Sequence, residues 1–328
     1  MRLLEEFDFI DSIQPAYYRQ SSVVKGIGDD AAIVRYTNED TIMTVDTMVE
    51  NVHFSTKTTD AFHIGYRALA ANISDIAAMG GKPVAYVVSI VIPDSWSSHA
   101  LHEIYRGMDE LASTYKMDLI GGDTVSGKQL VLSITVLGTV LKGQARYRSD
   151  ALENDIIFVT GTIGDAACGL HILLDESETD YERYQYVINR HRMPTPRVSF
   201  INHCSSIERM ALNDISDGIS NEANEIAKAS NKTLIIDYHQ VPSHPLLADF
   251  TLEQCLDWKI SGGEDFELIG TVPANDWATL QKIAKETNIK ITAIGMVQDD
   301  EKKNGTVWLR DGNTLNKLAK SGYTHLRG

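Results

Sequence analysis

A protein of two mixed α/β domains is the fold that the sequence predicts, and three observations lead to it. The chain has 328 residues, which is long for a single hydrophobic core. Hydrophobic residues make up 43% and charged residues 23%, a globular composition. Apolar runs alternate with amphipathic stretches throughout, as in proteins that combine strands with helices. A polar segment at 143–154 separates the halves, so we expect an N-terminal domain over residues 1–142 and a C-terminal α/β domain over residues 143–328.

The first half predicts alternating strands and helices. A strand over 41–45 stops at Asp46, and a helix over 60–79 has Asp60 as its N-cap and Gly80-Gly81 at its end. The remaining elements are a strand over 84–92, a helix over 97–115, a short strand over 117–120 that runs into Gly121-Gly122-Asp123, and a β-rich run over 130–140.

The second half begins with a new strand over 155–160 and a helix from about 165 to 174. Thr195 and Pro196 suit the N-cap and first position of another helix. Beyond them we expect helices over 218–230 and 276–286, and strands over 233–238, 265–272, 291–297 and 306–309.

The chain is acidic. It carries 30 basic and 45 acidic residues, a net charge of −15. This balance opposes nucleic-acid binding, which needs a basic surface. An acidic protein can hold a phosphorylated ligand only if divalent cations stand between its carboxylates and the phosphates.

Composition also bears on the compartment. The sequence has no apolar stretch long enough to span a bilayer, and its first ten residues lack the pattern of a signal peptide. Its three cysteines, Cys168, Cys204 and Cys255, lie far apart without a CxxC pair, which favours a reducing compartment. We therefore expect a cytoplasmic protein with no membrane partner.

Acidic residues recur beside glycines or at the ends of apolar runs. A strand end would fix a carboxylate in space, and a glycine would let the backbone approach a bulky anion. Mg²⁺ prefers oxygen ligands and is usually shared between carboxylates and substrate phosphates. Any one of these positions could equally be a solvated turn, but together they favour a site with several metal ions. The positions are Asp29-Asp30, Asp46, Asp75, Asp123, Asp214, Asp217 and Glu264-Asp265.

Asp75 differs from the others because it lies within a predicted helix, on a face with Asn72 and Ala68. A carboxylate on such a small-residue face is better explained as a ligand than as a solvated charge. The common phosphate-binding motifs are missing: the sequence has no GxxxxGK[ST] loop, no complete dinucleotide fingerprint and no protein-kinase catalytic loop.

The ordered motifs GIGDDAA, TVDTMVENVHF, NISDIAAMGG, LIGGDT, RYRSDA, VTGTIGDAACGL, DISDG and SGGEDFEL make the chain resemble the thiamine-monophosphate kinase family. The resemblance runs from about residue 5 to the terminal Gly322-Tyr323-Thr324-His325. Several motifs are shared with the wider aminoimidazole-ribonucleotide-synthetase (PurM-like) superfamily. The resemblance implies a two-domain α/β fold whose N-terminal domain binds ATP and metal and forms a homodimer, and whose C-terminal domain completes the active site.

The resemblance also implies the site residues and the reaction. Several Mg²⁺ ions and ATP would serve the conversion of thiamine monophosphate to thiamine diphosphate. The γ-phosphate would move by direct in-line transfer with no covalent nucleophile or general base, since a phosphate monoester is already largely deprotonated. The implied metal ligands are Asp30, Thr44, Val45 (through its carbonyl), Asp46, Asp75, Asp123, Asp214 and Asp217. The implied ATP contacts are Tyr105, Gly122, Asp123, Arg148 and Ser216, and the substrate contacts are His53, Glu264 and Tyr323.

Two kinds of alternative stay open at this point. One is another enzyme of the superfamily: a selenophosphate synthetase would carry a reactive cysteine near its start, a hydrogenase maturation relative would end in a cysteine, and the ribonucleotide synthetase is disfavoured by the kinase-like motifs. The other is a non-catalytic, acidic protein that binds metal or nucleotide. Phosphate transfer to an acceptor would separate the two kinds.

Overall fold

The computed structural model describes residues 13, 15–25, 33–34, 38–175 and 180–322. It divides the chain into two compact units. The first contains the described residues up to Ile76 together with Gly81–Gly143, and the second contains Ala77–Gly80 and the described residues from Gln144 onward.

The first unit is built on a four-stranded sheet with two long helices. A small antiparallel pair, β1 (Val23–Lys25) and β2 (Ile33–Val34), precedes them. The sheet has the order β3-β6-β4-β5, in which β4 and β5 are parallel and the other neighbours antiparallel. Its members are β3 (Glu39–Val49), β4 (Lys82–Ile92), β5 (Asp118–Ser126) and β6 (Val131–Leu141), and the helices are α1 (Ala61–Ala78) and α2 (Ser98–Tyr115).

Local signals set the ends of both helices. The Asp60 carboxylate accepts a hydrogen bond from the His63 amide, and the Ser97 hydroxyl accepts one from the Ala100 amide, so each satisfies an amide that the first turn leaves open. The predicted apolar stripe of α1, formed by Leu69, Ile73 and Ile76, is fully buried.

Two glycines let α1 and α2 touch through their backbones. A Cβ added at Gly65 would lie 1.8 Å from the Ile104 carbonyl oxygen, and one added at Gly107 would lie 1.9 Å from the Phe62 carbonyl oxygen. No side chain fits at either distance. The close approach therefore depends on this reciprocal pair of glycines.

The second unit contains a seven-stranded sheet of order β13-β12-β9-β11-β7-β10-β8, in which only the β9–β12 pair is parallel. Its strands are β7 (Ile156–Thr160), β8 (Ala211–Ile215), β9 (Thr233–Asp237), β10 (Glu267–Val272), β11 (Ile291–Gln298), β12 (Val307–Asp311) and β13 (Thr314–Leu318). Its helices are α3 (Asp165–Leu174), α4 (Gln185–Arg192), α5 (Val198–Asn202), α6 (Ile219–Ser230), α7 (Leu252–Ile260) and α8 (Trp277–Glu286). Side chains from β7, β8, β10 and α6 form much of its main hydrophobic core.

The mixed α/β class is confirmed, and several element boundaries differ from the prediction. Strand β3 continues three residues beyond Asp46, and β5 runs through Gly121-Gly122-Asp123 to Ser126. In both cases pairing with a neighbouring strand overrides the local turn signal. Helix α5 begins at Val198 with Arg197 as its N-cap, so the predicted start at Thr195 and Pro196 was wrong. Within the described part of the chain, no helix is both long and apolar enough to cross a membrane.

Candidate functional site

The first unit gathers four polar side chains where β3 meets α1. The Thr44 hydroxyl donates to a carboxylate oxygen of Asp75 at 2.5 Å, and the Asp46 backbone amide donates to the Asn72 side-chain oxygen at 3.1 Å. Thr44 and Asp46 are two residues apart on a strand, so their side chains share one face of the sheet. The structure thus brings together three predicted metal ligands, Thr44, Asp46 and Asp75.

Asp123 does not join this cluster within the chain. Strands β3 and β5 are opposite edges of the sheet, and Asp46, Ile134, Val88 and Gly122 form one row across it. Three strand spacings of about 4.8 Å put Asp46 roughly 14 Å from this edge. Asp123, one residue further along β5, also points to the other face. Within one chain the sheet order therefore separates Asp123 from Asp46, and the role of Asp123 as a metal ligand stays a prediction.

The remaining predicted residues of the first unit lie on β3, on α2 and in the loop after β3. Val45 is on the face opposite Asp46 with its side chain exposed. The His53 Nδ1 accepts a hydrogen bond from the Val49 amide at 3.0 Å. Tyr105 is nearly buried in α2, and burial raises the pKa of its hydroxyl. Gly122 is exposed, but a Cβ there would lie 2.1 Å from the Val88 carbonyl oxygen, so the position admits only glycine.

In the second unit, three chain segments meet around Asp214–Gly218, which comprises the end of β8 and the turn into α6. The Glu264 amide donates to the Ser216 carbonyl at 2.7 Å. A Cβ at Gly263 would lie 2.5 Å from the same carbonyl oxygen, and one at Gly322 would lie 1.7 Å from the Asp217 carbonyl oxygen. The glycines allow this tight packing. The structure therefore brings together four predicted residues, Asp214, Ser216, Asp217 and Glu264. They lie next to Gly322, which precedes the predicted residue Tyr323.

Arg148 reaches this cluster through an interaction that the sequence did not indicate. Its Nε donates to the Asn213 side-chain oxygen at 3.0 Å, and the Asn213 amide nitrogen donates to the Glu222 carboxylate. Burial, and then the nearby charge of Asp217, raise the pKa of Glu222 to about 7. Neither Asn213 nor Glu222 stands out in the sequence, because a buried polar pair between a strand and a helix leaves no periodic pattern.

The loop that carries Glu264 has a strained backbone. Glu264 and Phe266 both have positive φ angles, 66° and 49°, which non-glycine residues seldom adopt. Between them the buried Asp265 carboxylate accepts hydrogen bonds from the Gly164 and Ala166 amides at 2.6 and 3.0 Å. The buried His191 Nδ1 lies 3.5 Å from a Glu264 carboxylate oxygen. The loop conformation is thus held by the Glu264 amide, which binds Ser216, and by the Asp265 carboxylate, which binds Gly164 and Ala166.

Glu267, the first residue of β10, is the centre of a buried ion-pair network. Arg190 and Arg197 both bind its carboxylate, at 2.8 Å for Arg190 and 2.6 Å for the Arg197 Nε, and the Thr160 hydroxyl donates to it at 2.6 Å. Burial acts to raise the pKa of Glu267, but the two guanidinium groups outweigh it and leave the pKa lowered. Within SGGEDFEL this residue had no predicted role, since its partners come from distant segments.

Asp265 provides a test of this electrostatic environment. Burial, followed by the charge of Asp165, raises the pKa of Asp265 from 3.8 to about 7. Between these values the folded protein binds more protons than the unfolded chain, so the unfolding free energy should fall as pH rises, by at most about 1.4 kcal/mol per pH unit. This fall begins near the unfolded pKa and is complete above the folded one.

We expect Asp265→Asn to remove that contribution, so that urea unfolding of the variant changes less between pH 5 and pH 7 than unfolding of the wild type. Glu222 contributes a slope of the same sign in both proteins and cancels in the comparison. Equal pH dependence in the two proteins would contradict the raised pKa.

Two predicted site residues, Asp30 and Tyr323, lie outside the described residues. Among those described, no three His, Cys, Asp or Glu side chains form a ready-made metal site. The donors around Asp46 and Asp75 nevertheless fit Mg²⁺, which usually binds through one or two carboxylates and completes its shell with water and substrate phosphate. All the donors there are hard oxygens, and this favours Mg²⁺ over a soft metal.

Comparison with known proteins first identifies the class. The model of the AIR synthase related protein N-terminal domain matches residues 28–140, and the model of the corresponding C-terminal domain matches residues 153–307. The two sheets, with a carboxylate cluster in each unit, are thus those of an AIR synthase related protein.

Individual relatives identify the family within this class of proteins. A thiamine-monophosphate kinase of Bacillus subtilis (strain 168) is 46% identical over 330 residues, covering 99% of this chain and 100% of the relative. The crystal structure of the thiamine-monophosphate kinase from Stenotrophomonas maltophilia K279a superimposes with a TM-score of 0.84 at 32% identity, covering 97% of this chain and 98% of that one. A relative solved in complex with AMPPCP and TMP has a TM-score of 0.73 at 27% identity, covering 97% and 98%. The chain belongs to the thiamine-monophosphate kinase family.

Proposed function

We propose that this protein transfers the γ-phosphate of ATP to thiamine monophosphate, giving thiamine diphosphate and ADP, by a direct in-line reaction that depends on Mg²⁺. The observation that carries the proposal is the 46% identity that extends over 99% of the chain to a thiamine-monophosphate kinase. The solved relative in complex with AMPPCP and TMP supports the same pair of ligands.

The chief barrier to this reaction is repulsion between two anionic reactants, because the acceptor is itself a phosphate. Mg²⁺ would supply neutralisation of that charge and alignment of the phosphate oxygens. In the first unit, Asp46, Asp75 and the Thr44 hydroxyl would hold it. In the second unit, Asp214 and Asp217 offer carboxylates, and Asp214 is almost fully buried.

Arg148 and Ser216 would bind the phosphates of ATP. Arg148 is exposed and permanently charged, and a guanidinium can bind two phosphate oxygens at once. Ser216 stands beside it in the same unit, joined to it through Asn213 and Glu222. We assign no covalent nucleophile or general base, since the acceptor oxygen needs no deprotonation near neutral pH.

Thiamine monophosphate would meet His53, Glu264 and Tyr323. Its thiazolium ring is a cation, so a carboxylate such as Glu264 complements its charge and an aromatic face such as that of Tyr323 attracts it. The strained backbone at Glu264 supports a functional role, because strain of this kind persists where the surrounding structure holds a residue for a task.

We also propose a homodimer formed by the outer face of the four-stranded sheet. Residues on this face pair across the strands in rows: Met43 with Leu137, Val45 with Thr135 and Val87, and Val131 with Val49 and Val91. Leu137 and Val87 are half-buried in a cluster with Tyr18 and Val23. The Met43 and Val45 side chains beside them are 71% and 60% exposed, and exposed apolar side chains of this kind are what interfaces cover. Thr47, Ser133, Ser89 and Asp123 form one polar row across the same face.

Substitution of Met43 tests the dimer. Met43→Glu would place a charge from each copy in an apolar interface, so we expect the dimer dissociation constant to rise at least about 100-fold. Light scattering after gel filtration would then give a mass near 36.4 kDa for the variant and twice that for the wild type. Thr114→Glu, on an exposed position of α2, is the control. A wild-type monomer, or a Met43→Glu dimer of unchanged affinity, would contradict the proposed interface.

We also propose a cytoplasmic location and separate roles for the two domains. All three cysteines are free thiols, in accord with the reducing cytoplasm that we propose. We assign metal binding, ATP binding and dimerisation to the domain of residues 1–142, and the remaining phosphate and substrate contacts to residues 143–328.

Product analysis tests the function. Purified protein is incubated with ATP, Mg²⁺ and thiamine monophosphate, and the thiamine compounds are separated. We expect thiamine diphosphate in amounts equal to the ADP formed. A parallel reaction with free thiamine should give no product, since the acceptor must already bear a phosphate. Nucleotide binding without transfer to any acceptor would favour a non-catalytic binding protein.

A further inference from the structure

Glu222 is a buried acidic residue whose side chain is linked to the predicted ATP contacts Arg148 and Ser216 and to the predicted metal ligand Asp217. It lies in the first turn of α6 and is 5% exposed. One carboxylate oxygen, Oε2, accepts a hydrogen bond from the Asn213 Nδ2. The other, Oε1, accepts from the Asp217 backbone amide at 3.2 Å and lies 3.5 Å from the Ser216 hydroxyl.

Asn213 extends these contacts to Arg148. Its side chain is buried between the two, with Oδ1 accepting from the Arg148 Nε at 3.0 Å and Nδ2 donating to Glu222. The Arg148 guanidinium determines the orientation of the amide, because a guanidinium can only donate: Oδ1 faces Arg148, and Nδ2 is left for Glu222. The bond uses the Nε of Arg148 and so leaves the end-on pair of nitrogens for a bidentate phosphate contact.

We infer that Glu222 is a positioning residue for nucleotide binding: through Asn213 it aims Arg148, and directly it fixes the backbone of Asp217 and the hydroxyl of Ser216. The inference rests on the proposed function of this cluster as the place where ATP phosphates bind. It goes beyond that function because Asn213 and Glu222 do not contact ATP themselves; they orient the residues that do.

The contacts of Glu222 require two acceptor oxygens at this position. Both oxygens of Glu222 act as acceptors, so Glu222→Gln would put an amide donor against either the Asn213 Nδ2 or the Asp217 amide. If the Asn213 amide rotates to relieve the first clash, its own Nδ2 faces the Arg148 Nε, and two donors oppose each other. Either way one predicted phosphate-binding group loses its position, although the volume of the side chain barely changes.

The experiment measures AMPPCP binding by calorimetry, in the presence of Mg²⁺, for the full-length protein and its variants. We expect Glu222→Gln to weaken binding about 10-fold, and Glu222→Asp, which keeps two acceptor oxygens, to recover most of the affinity. In an Arg148→Ala background the effect of Glu222→Gln should shrink to less than about 5-fold, because only the direct contacts of Glu222 with Asp217 and Ser216 remain to be disturbed. Glu286→Gln, which neutralises an exposed glutamate paired with Lys282 on α8, is the control.

A merely structural role predicts another outcome. Glu222→Gln would then change thermal stability and leave the affinity of the folded protein unchanged, or its effect would be the same with and without Arg148; each result would overturn the inference. If Glu222→Gln does not fold, Asn213→Ser, which cuts the link to Arg148, is measured instead, with the same expected loss. Because the readout is nucleotide binding, failure of wild-type protein to form thiamine diphosphate would count against the proposed function and not against this inference.

Discussion

Replacement of Asp46 by asparagine should lower kcat for thiamine diphosphate formation by at least about 10²-fold, because a neutral amide cannot hold the cation that offsets the charge of two phosphates. The fold should survive the change. The contact that ties this position to α1 is made by the Asp46 backbone amide to Asn72, and the substitution keeps it. Steady-state kinetics at saturating Mg²⁺, with circular dichroism to verify folding, make the measurement.

Asp40→Asn is the matched control on the same strand. Asp40 is exposed and accepts a hydrogen bond from the Gly143 amide at 3.1 Å, away from the Asp46 cluster. We expect its kcat to stay within about twofold of wild type, in line with other surface substitutions. If Asp46→Asn and the wild type turned over at comparable rates, Asp46 would have no role as a metal ligand.

The largest effect on stability should come from Glu267→Gln. The variant keeps the shape of the side chain but leaves Arg190 and Arg197 without their shared negative charge in a buried place. Loss of one partner of a buried ion pair typically costs about 3–5 kcal/mol. For a unit of this size, such a loss lowers the melting temperature by roughly 10 °C.

Differential scanning calorimetry compares this variant with Glu286→Gln. Glu286 pairs with Lys282 at 3.9 Å on the exposed face of α8, and such surface pairs contribute little, so we expect a change below about 0.5 kcal/mol. Similar melting temperatures for the two variants would show that the buried network does not stabilise the second unit.

What the sequence could predict depended on how local the determining interactions are. Both long helices of the first unit were predicted within about one residue, because Asp60 and Ser97 act on amides three residues away. The end of β5 was not, because Gly121-Gly122-Asp123 forms a turn in isolation and a strand only when it pairs with β4. Helix α4, which supplies Arg190 and His191, was missed altogether.

Some residues of the candidate site could likewise be predicted from the sequence, and others could not. The pattern of acidic residues beside glycines selected Asp214, Asp217 and Glu264, the resemblance added Ser216, and the structure brings these four together. Asp123 and Asp46, both predicted metal ligands, lie on opposite edges of one sheet, because the order of strands in a sheet is a long-range property that spacing along the chain does not encode. Asn213, Glu222 and Glu267 were overlooked, because their importance comes from buried partners rather than from their own residue type.

We propose that carboxylates of this acidic chain hold cations without which two anions cannot react. The most direct measurement follows the transfer of labelled phosphate from [γ-³²P]ATP to thiamine monophosphate, with Mg²⁺ present or replaced by a chelator. We predict labelled thiamine diphosphate in amounts equal to ADP when Mg²⁺ is present, and none above background in chelator. Undiminished transfer in chelator, or ADP release with no labelled thiamine diphosphate, would contradict the account.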